Sequence, residues 1–292
     1  MWKLYADLTK FGIVVFVVLS GLAGYATSFH IEVPFDWSHL AALVGGLYLL
    51  SSGSLSLNQV QEWQIDQKMD RTKHRPVASG KLKPAAAGIL SWSMIIAGST
   101  LLFEASFMAG VLGWITIVLY NGIYVYVWKP KWIFGAVPGA IPGALPVTIG
   151  YAANDPGIAN MDSIYLFLIM FLWQMPHFWA LAIKYKEDYS KGGFPMLPVS
   201  LGTERTIYHM GIYTLAYVAV AMASPWFVHA SWIYLVAVIP VSFKVLQEYW
   251  RYYSSKGTQR WLAFFLWTNV SMLVFLVVPV IDKWNFLVLG RG

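Results

Sequence analysis

Residues 39–58, HLAALVGGLYLLSSGSLSLN, run directly into residues 59–76, QVQEWQIDQKMDRTKHRP. The first stretch has 20 residues without Asp, Glu, Lys or Arg, which is long and apolar enough to cross a bilayer as one helix. The second stretch gathers charges of both signs, namely Glu62, Asp66, Asp70, Lys68, Arg71, Lys73 and Arg75. Together they predict a membrane-spanning helix that ends in a densely charged loop.

The whole chain has the composition of a membrane protein. Of its 292 residues, 58% are hydrophobic and only 12% are charged, whereas a soluble domain has about 25% charged residues. Nine apolar runs are long enough to cross a bilayer, and they cover about 11–29, 39–58, 85–103, 107–127, 133–152, 163–183, 206–228, 231–249 and 261–281. The sequence therefore predicts an all-α, polytopic protein of nine transmembrane helices, with residues 1–292 as a single domain surrounded by membrane lipid.

Basic residues are concentrated on one side of the predicted membrane. With nine spans, 18 of the 20 Lys and Arg residues fall on the N-terminal side, and Lys283 and Arg291 fall opposite. The positive-inside rule then puts the N-terminus and the long loops in the cytoplasm and the C-terminus outside. We expect an integral plasma (inner) membrane protein whose net charge of +6 reflects this topology and not nucleic-acid binding.

Two interhelical loops, 59–84 and 184–205, are long and rich in both signs of charge. Four predicted helices separate them, which suggests two halves of about 10–128 and 132–250 with a ninth helix at 261–281. This division rests on topology alone, because the halves show no convincing sequence repeat. The chain has no cysteine, which excludes disulfides, thiolate catalysis and iron–sulfur clusters.

Asn58, Glu62, Asp66 and Asp70 recur every four residues, so on an α-helix they share one face. Stacked carboxylates at this spacing repel each other, and a positive charge must offset the repulsion. The neighbouring Lys and Arg side chains would do so in a solvated salt-bridge cluster. The alternative is a Mg²⁺ site, since Mg²⁺ prefers one or two carboxylates completed by waters and phosphate oxygens, with basic side chains holding a diphosphate.

Two motifs resemble a known family. The pattern NxxxExxxD running into DRTKHRP is similar to the first aspartate-rich motif of the UbiA-type intramembrane prenyltransferases. Residues 172–198, LWQMPHFWALAIKYKEDYSKGGFPMLP, resemble one branch of that superfamily, whose members farnesylate haem. The LTK opening near residue 8, SGSLSLN before the first motif and GALPVTIGY at 143–151 extend the resemblance over nearly the whole chain.

The resemblance implies a helical bundle around a central cavity and a Mg²⁺-dependent reaction. Farnesyl diphosphate would ionise to an allylic carbocation, and a vinyl group of haem b would attack it. Water would then quench the product, giving haem O and diphosphate, so that haem b is a substrate and Mg²⁺ the cofactor. The partners implied beyond the substrates are haem A synthase or terminal oxidase assembly proteins.

Residue by residue, the resemblance assigns three groups of side chains. The first motif and its acidic neighbour supply the predicted catalytic residues Asn58, Glu62, Asp66 and Asp70. The metal ligands implied are Asn58, Glu62, Asp66, Glu187 and Asp188. The diphosphate contacts implied are Arg71, Lys73, Arg75, Lys129 and Lys184. The sequence departs from the family pattern at Glu62, where Asp is usual, and in the second loop, which lacks a DxxxD motif.

His177 and Gln174 are the predicted haem contacts. An ionisable side chain inside a membrane span is a candidate for function, and imidazole is a common axial ligand of haem iron. A histidine hydrogen-bonded to a neighbouring helix is the structural alternative.

Two other functions remain open at this point. One is a prenyltransferase of the same fold with a quinone precursor as acceptor, against which WQMPH and the missing second DxxxD argue. The other is a haem-handling transporter or assembly factor without chemistry. Midplane charges are typical of transporters, whereas the acidic residues here cluster at one membrane face.

Overall fold

A computed structural model describes residues 2–228 and 231–289, and every regular element in those ranges is a helix. The helices are α1 (Trp2–Thr9), α2 (Phe11–Ser28), α3 (Trp37–Asp66), α4 (Pro84–Ala105), α5 (Phe107–Lys131), α6 (Ala136–Ala152), α7 (Met161–Lys184), α8 (Lys186–Lys191), α9 (Leu197–Met222), α10 (Trp232–Ser254) and α11 (Trp261–Leu289). Arg291, one of the two basic residues predicted outside, lies beyond the described residues. The predicted all-α architecture is confirmed.

Six of the described helices are long and apolar enough to cross a membrane, namely α2, α3, α4, α5, α7 and α11. Each of the other three predicted spans also contains a helix, but α6 has only 17 residues. Helix α9 carries Glu204 and Arg205 near its start, and α10 carries Lys244, Glu248 and Arg251 in its second half. The six apolar helices therefore support the prediction of an integral membrane protein, whereas the count of nine crossings stays a prediction.

Large apolar side chains cover the outside of the helices. Ile89 and Phe107 are each 75% exposed, and many other Leu, Ile, Phe and Trp side chains point outward in the same way. Several charged side chains are buried, including Glu62, Asp66 and Glu248. This is the arrangement expected of a protein surrounded by lipid, since charged side chains are then stable only inside the bundle, where they can pair with other polar groups.

Helices α2 and α6 touch through their backbones. A Cβ atom built on Gly150 would lie 1.8 Å from the carbonyl oxygen of Gly21, and one on Gly24 would lie 1.9 Å from that of Val147. Only glycine allows this approach, as in other small-residue interfaces between membrane helices. The contact fixes α6, which forms one wall of the interior.

Residues Val118–Trp128 of α5 are wound as a π-helix, a rare conformation that is frequent at functional sites. Asn121 holds this π-helical segment against α3. Its side-chain oxygen accepts a hydrogen bond from the hydroxyl of Ser54, and its side-chain nitrogen donates to the backbone carbonyl of Ser54 and to the side-chain carbonyl of Gln61. The same segment presents Tyr120 and Tyr124 to the interior.

The loop after α3 and the loop after α7 meet over one end of the bundle. The Asp188 carboxylate accepts hydrogen bonds from the backbone N–H groups of Asp70 at 3.1 Å and Arg71 at 3.0 Å. Beneath this contact lies an apolar cluster that includes Met69, Tyr189 and Phe194. The two charged loops are thus one packed cap. The two predicted halves remain a prediction, although the loops that suggested them do come together.

Candidate active site

The last two turns of α3 carry the predicted column of ligands into the protein interior. Asn58 and Glu62 are each 3% exposed and Asp66 is fully buried. All three line one cavity between α2, α3, the π-helical segment and α6. The four-residue spacing produces this arrangement because α3 continues as a helix through Asp66.

Each member of the column has a cationic partner. The ammonium group of Lys129 lies 2.6 Å from each carboxylate oxygen of Glu62. Nη1 of Arg75 lies 2.8 Å from each carboxylate oxygen of Asp66, and Nζ of Lys10 lies 3.3 Å from Oδ1 of Asn58. Buried carboxylates are tolerated only when such partners satisfy them. Arg75, from the adjacent loop, supplies part of the offset that the sequence required, and Lys129, 67 residues from Glu62, supplies the rest.

The cavity carries more positive than negative charge. Its charged lining residues are the carboxylates Glu62 and Asp66 and the cations Lys10, Arg71, Arg75 and Lys129. The formal surplus of two positive charges suits an anion. Burial, followed by the nearby Arg75, lowers the pKa of Lys10 to about 7, and a bound anion would raise it again.

The rest of this cavity is apolar. Its volume is about 360 Å³, and beyond the charged end it is lined mainly by aliphatic and aromatic side chains, among them Val17, Leu47, Leu50, Ile117, Ile149, Tyr120 and Tyr124. One end therefore fits an anionic headgroup and the other a hydrocarbon chain. We call it the donor cavity.

A second cavity, of about 830 Å³, shares a wall with the first. It lies between the start of α2, α6, α7 and α11, and its lining includes Trp173, His177, Phe178 and Asn269. We call it the acceptor cavity. Ligand cavities of several hundred cubic ångströms with a few polar groups on apolar walls are typical of sites for organic molecules.

His177 projects into the acceptor cavity between two aromatic rings. Its ring centroid lies 4.6 Å from that of Trp173 and 4.8 Å from that of Phe265, and its side chain bonds to Asn269. The Nδ1 atom is buried and has no hydrogen-bond partner among the described residues. This nitrogen has no hydrogen bond to lose, but it is shielded from the cavity, so a ligand reaches it only after the ring or its neighbours move.

Gln174 lies at the boundary of the two cavities. Its side-chain amide donates to the carbonyl oxygens of Ala140 and Met170, at 3.0 Å in both cases, and so joins α6 to α7. A Cβ atom on Gly143 would lie 2.0 Å from its Oε1, which explains the glycine there. Both protons of the amide nitrogen are thus used in hydrogen bonds within the bundle, and the rest of the side chain faces the cavities.

Several predicted site residues lie outside the described lining of the donor cavity. Asp70 is exposed and pairs with Lys73 and Lys191 at 2.6 Å each, and hydrogen bonds from Lys191 and then Lys73 lower its pKa to about 2. Lys184 is exposed, with its ammonium group 4.2 Å from the ring centroid of Trp261, and Glu187 is exposed as well. Their predicted roles stay predictions.

Asp188 lies close to the site but is not among the residues that line the donor cavity. Both carboxylate oxygens accept the backbone N–H groups described above, and through them Asp188 holds Arg71 at the cavity. The Arg71 guanidinium also lies 5.1 Å from the ring centroid of Tyr185 and 5.8 Å from that of Tyr189. Each carboxylate oxygen has two lone pairs and uses one of them for an N–H group, so the other lone pairs remain for the metal that the resemblance implies.

The oxygen ligands at the end of α3 fit a Mg²⁺ ion that the protein and a substrate phosphate bind together. Within residues 2–228 and 231–289, no three His, Asp or Glu side chains are grouped so that they could hold a metal by themselves. Glu62 and Asp66 nevertheless offer two buried carboxylates beside the side-chain oxygen of Asn58, which accepts a hydrogen bond from Lys10. One or two carboxylates completed by water and phosphate oxygens is what Mg²⁺ prefers.

Lys10 is a site residue that the sequence reading did not assign. It appeared only within the LTK opening and in the count of basic residues, since a lysine at a helix boundary has no motif of its own. The structure shows that it lines both cavities.

Sequence comparisons agree with this geometry. Residues 14–270 match the UbiA prenyltransferase family. The chain is similar to the protoheme IX farnesyltransferase of Bdellovibrio bacteriovorus, with 64% identity over 287 residues and 98% of each chain covered. It is also 31% identical over 295 residues to protoheme IX farnesyltransferase 1 of Pseudomonas fluorescens, covering 98% of this chain and 95% of that one.

Solved structures share the fold. A structure of digeranylgeranylglyceryl phosphate synthase has a TM-score of 0.75 at 17% identity and covers 96% of this chain and 98% of its own. A UbiA homologue from Archaeoglobus fulgidus bound to DMAPP and Mg²⁺ has a TM-score of 0.68 at 13% identity, covering 94% and 98%. At such identities the likeness shows the fold alone.

Proposed function

The chain belongs to the UbiA prenyltransferase family, and from this membership and its two adjoining cavities we propose that it transfers a farnesyl group from farnesyl diphosphate to a vinyl group of haem b. Haem O and diphosphate are the products, and water supplies the hydroxyl group. The observation that carries the proposal is the shared wall, which lets an anionic amphiphile and a larger aromatic ligand meet inside one bundle. The 64% identical protoheme IX farnesyltransferase supports haem as the acceptor.

The donor cavity would hold farnesyl diphosphate. Its aliphatic wall suits the isoprenoid chain, and the surplus cations at its other end suit the diphosphate. Asn58, Glu62 and Asp66 would hold Mg²⁺ against the diphosphate. When bound, Mg²⁺ supplies the positive charge that stabilises the leaving diphosphate. Arg71, Arg75 and Lys129 supply charge-assisted hydrogen bonds to the same group.

The acceptor cavity would hold haem b. Imidazole is a common axial ligand of haem iron, and the side chain of His177 lines this cavity. Trp173 and Phe178 give flat apolar surface for the macrocycle. Gln174, at the boundary of the cavities, would contact the haem edge that faces the donor.

Farnesyl transfer would proceed by ionisation of the donor, attack by the vinyl group and addition of water. The bond between C1 of the farnesyl group and the diphosphate oxygen breaks, and its electron pair leaves with the diphosphate. The terminal vinyl carbon attacks C1, which moves the positive charge to the inner vinyl carbon. Water adds there and loses a proton. The aromatic faces of Tyr120 and Tyr124 lie along the donor cavity, where they can stabilise a carbocation.

The same proposal places the site at the cytoplasmic face of the plasma (inner) membrane. The cap lies on the N-terminal side of the predicted membrane, where 18 of the 20 Lys and Arg residues fall, and the positive-inside rule puts that side in the cytoplasm. Haem A synthase or terminal oxidase assembly proteins would receive the product.

The test is turnover by the purified protein in lipid nanodiscs with haem b, farnesyl diphosphate and Mg²⁺. We expect diphosphate release together with a haem whose mass has increased by one farnesyl and one hydroxyl group. Transfer to 4-hydroxybenzoate in place of haem would favour the quinone-precursor alternative. Haem binding without diphosphate release would favour a haem-handling protein.

A further inference from the structure

Lys10 is the single residue between α1 and α2, and its backbone is left-handed, with φ 53° and ψ 53°. A side chain with a Cβ atom rarely adopts this conformation, and glycine would adopt it without strain. Such a conformation persists where the surrounding structure requires it, often at functional sites. The turn directs the lysine side chain between the cavities.

The position of Lys10 is unique among the described residues. Six of them line both cavities, and Lys10 is the one charged group in this set of Lys10, Ile13, Tyr124, Gly139, Gln174 and Phe178. A ligand that reaches the shared wall from either side therefore meets this ammonium group.

The ammonium group has no carboxylate partner within the described part of the chain. Lys129 and Arg75 form ion pairs with Glu62 and Asp66, whereas the ammonium group of Lys10 donates to the neutral Asn58 oxygen at 3.3 Å. An ammonium group has three protons to donate, and an unpaired cation in a desolvated place costs free energy. A bound oxyanion would remove that cost.

We propose that Lys10 binds a substrate oxyanion at the shared wall and thereby sets the donor and the acceptor relative to each other. The inference rests on the proposed function for the identity of the two ligands. The oxyanion has two possible sources, the diphosphate of the donor and a propionate carboxylate of haem b. Both are accepted by the same ammonium chemistry.

Two variants and a control separate the effect of charge from that of shape. Lys10→Met removes the ammonium group, Lys10→Arg keeps the positive charge, and Lys3→Met removes an exposed charge from α1, the helix that precedes Lys10. Each is measured in nanodiscs for binding of farnesyl thiodiphosphate, an unreactive donor analogue, and for binding of haem b by absorbance titration.

Lys10→Met is expected to lower the affinity for one of these two ligands by about tenfold to a hundredfold, which corresponds to the loss of one hydrogen bond to a charged group. Weaker analogue binding with unchanged haem binding identifies the diphosphate. Weaker haem binding identifies a propionate, and the dimethyl ester of haem b would then bind the wild type as weakly as haem b binds the variant. Lys10→Arg should restore most of the lost affinity, and Lys3→Met should match the wild type.

Unchanged affinity of Lys10→Met for both ligands would overturn the inference. Lys10→Gly, which relieves the backbone, serves if Lys10→Met does not fold, and it should show the same loss. Failure of the proposed function has a different signature, since the wild type would then produce no farnesylated haem whatever the binding data of the variants.

Discussion

Glu62 is an example of a buried charged residue whose partner comes from another part of the chain. Its carboxylate is buried, and both oxygens contact Lys129. The partners lie 67 residues apart. The helical spacing of Asn58, Glu62 and Asp66 could be predicted from the sequence because it is a local property. The pairing with Lys129 depends on tertiary packing, and only the family resemblance had suggested this lysine.

Lys129→Met should destabilise the protein and slow the reaction. Removing one partner of a buried ion pair leaves the other charge uncompensated, which costs about 3 kcal/mol, and the diphosphate would lose a contact. Thermal unfolding in detergent and the KM for farnesyl diphosphate measure the two effects. Lys131→Met, two residues away and exposed, is the control and should stay within about 0.5 kcal/mol of the wild type. Equal stability of the two variants would contradict the importance of the pair.

Two roles are proposed for Asp188, and they have different consequences. Its contacts with the N–H groups of Asp70 and Arg71 favour an anchor, whereas the family resemblance favours a metal ligand. If it is an anchor, Asp188→Asn should loosen the cap and raise the KM for farnesyl diphosphate, with the Mg²⁺ concentration for half-maximal rate unchanged. A marked rise in that concentration would show that Asp188 binds the metal.

At the scale of helices, the apolar runs in the sequence located the helices well. Each of the nine runs contains a helix, and α3 continues beyond its apolar part through Asp66. The π-helical winding of Val118–Trp128 could not be predicted in this way, because it accompanies bonds between Asn121 and residues on another helix. The backbone contact of α2 with α6 is likewise invisible without the fold.

Gly150→Ala should separate α2 from α6. The new Cβ atom would lie 1.8 Å from the Gly21 carbonyl oxygen, so a backbone must move, at a cost of about 1–3 kcal/mol. Gly88→Ala is the matched control, since its Cβ atom would meet only Val60, at 3.9 Å, and alanine is the better helix former. We expect a lower melting temperature for the first variant alone. A wild-type melting temperature for Gly150→Ala would refute the close contact.

For the whole molecule, composition was sufficient to predict a helical membrane protein but not to fix the number of crossings. Helices α9 and α10 mix apolar runs with charged residues, and α6 is short. Whether they cross depends on which of their faces meet lipid and which meet the bundle. The charge bias predicts the topology of the loops without this information.

The absence of native cysteine makes the topology directly measurable. A single cysteine at exposed Lys81, in the first charged loop, should react with an impermeant maleimide only in inside-out vesicles. A cysteine at Val33, which is 57% exposed between α2 and α3, should react only in right-side-out vesicles. The opposite pattern would reverse the predicted orientation, and labelling of both sites from one side would contradict the crossing by α3.

The central claim is that the buried carboxylates at the end of α3 serve farnesyl transfer to haem, and mass spectrometry of haem after incubation with farnesyl diphosphate and Mg²⁺ tests it most directly. The wild type should convert haem b to a product heavier by one farnesyl and one hydroxyl group. Asp66→Asn should reduce the rate by at least about a hundredfold while still binding haem b, and chelation of Mg²⁺ should do the same to the wild type. Unmodified haem from the wild type, or undiminished conversion by Asp66→Asn, would contradict the account.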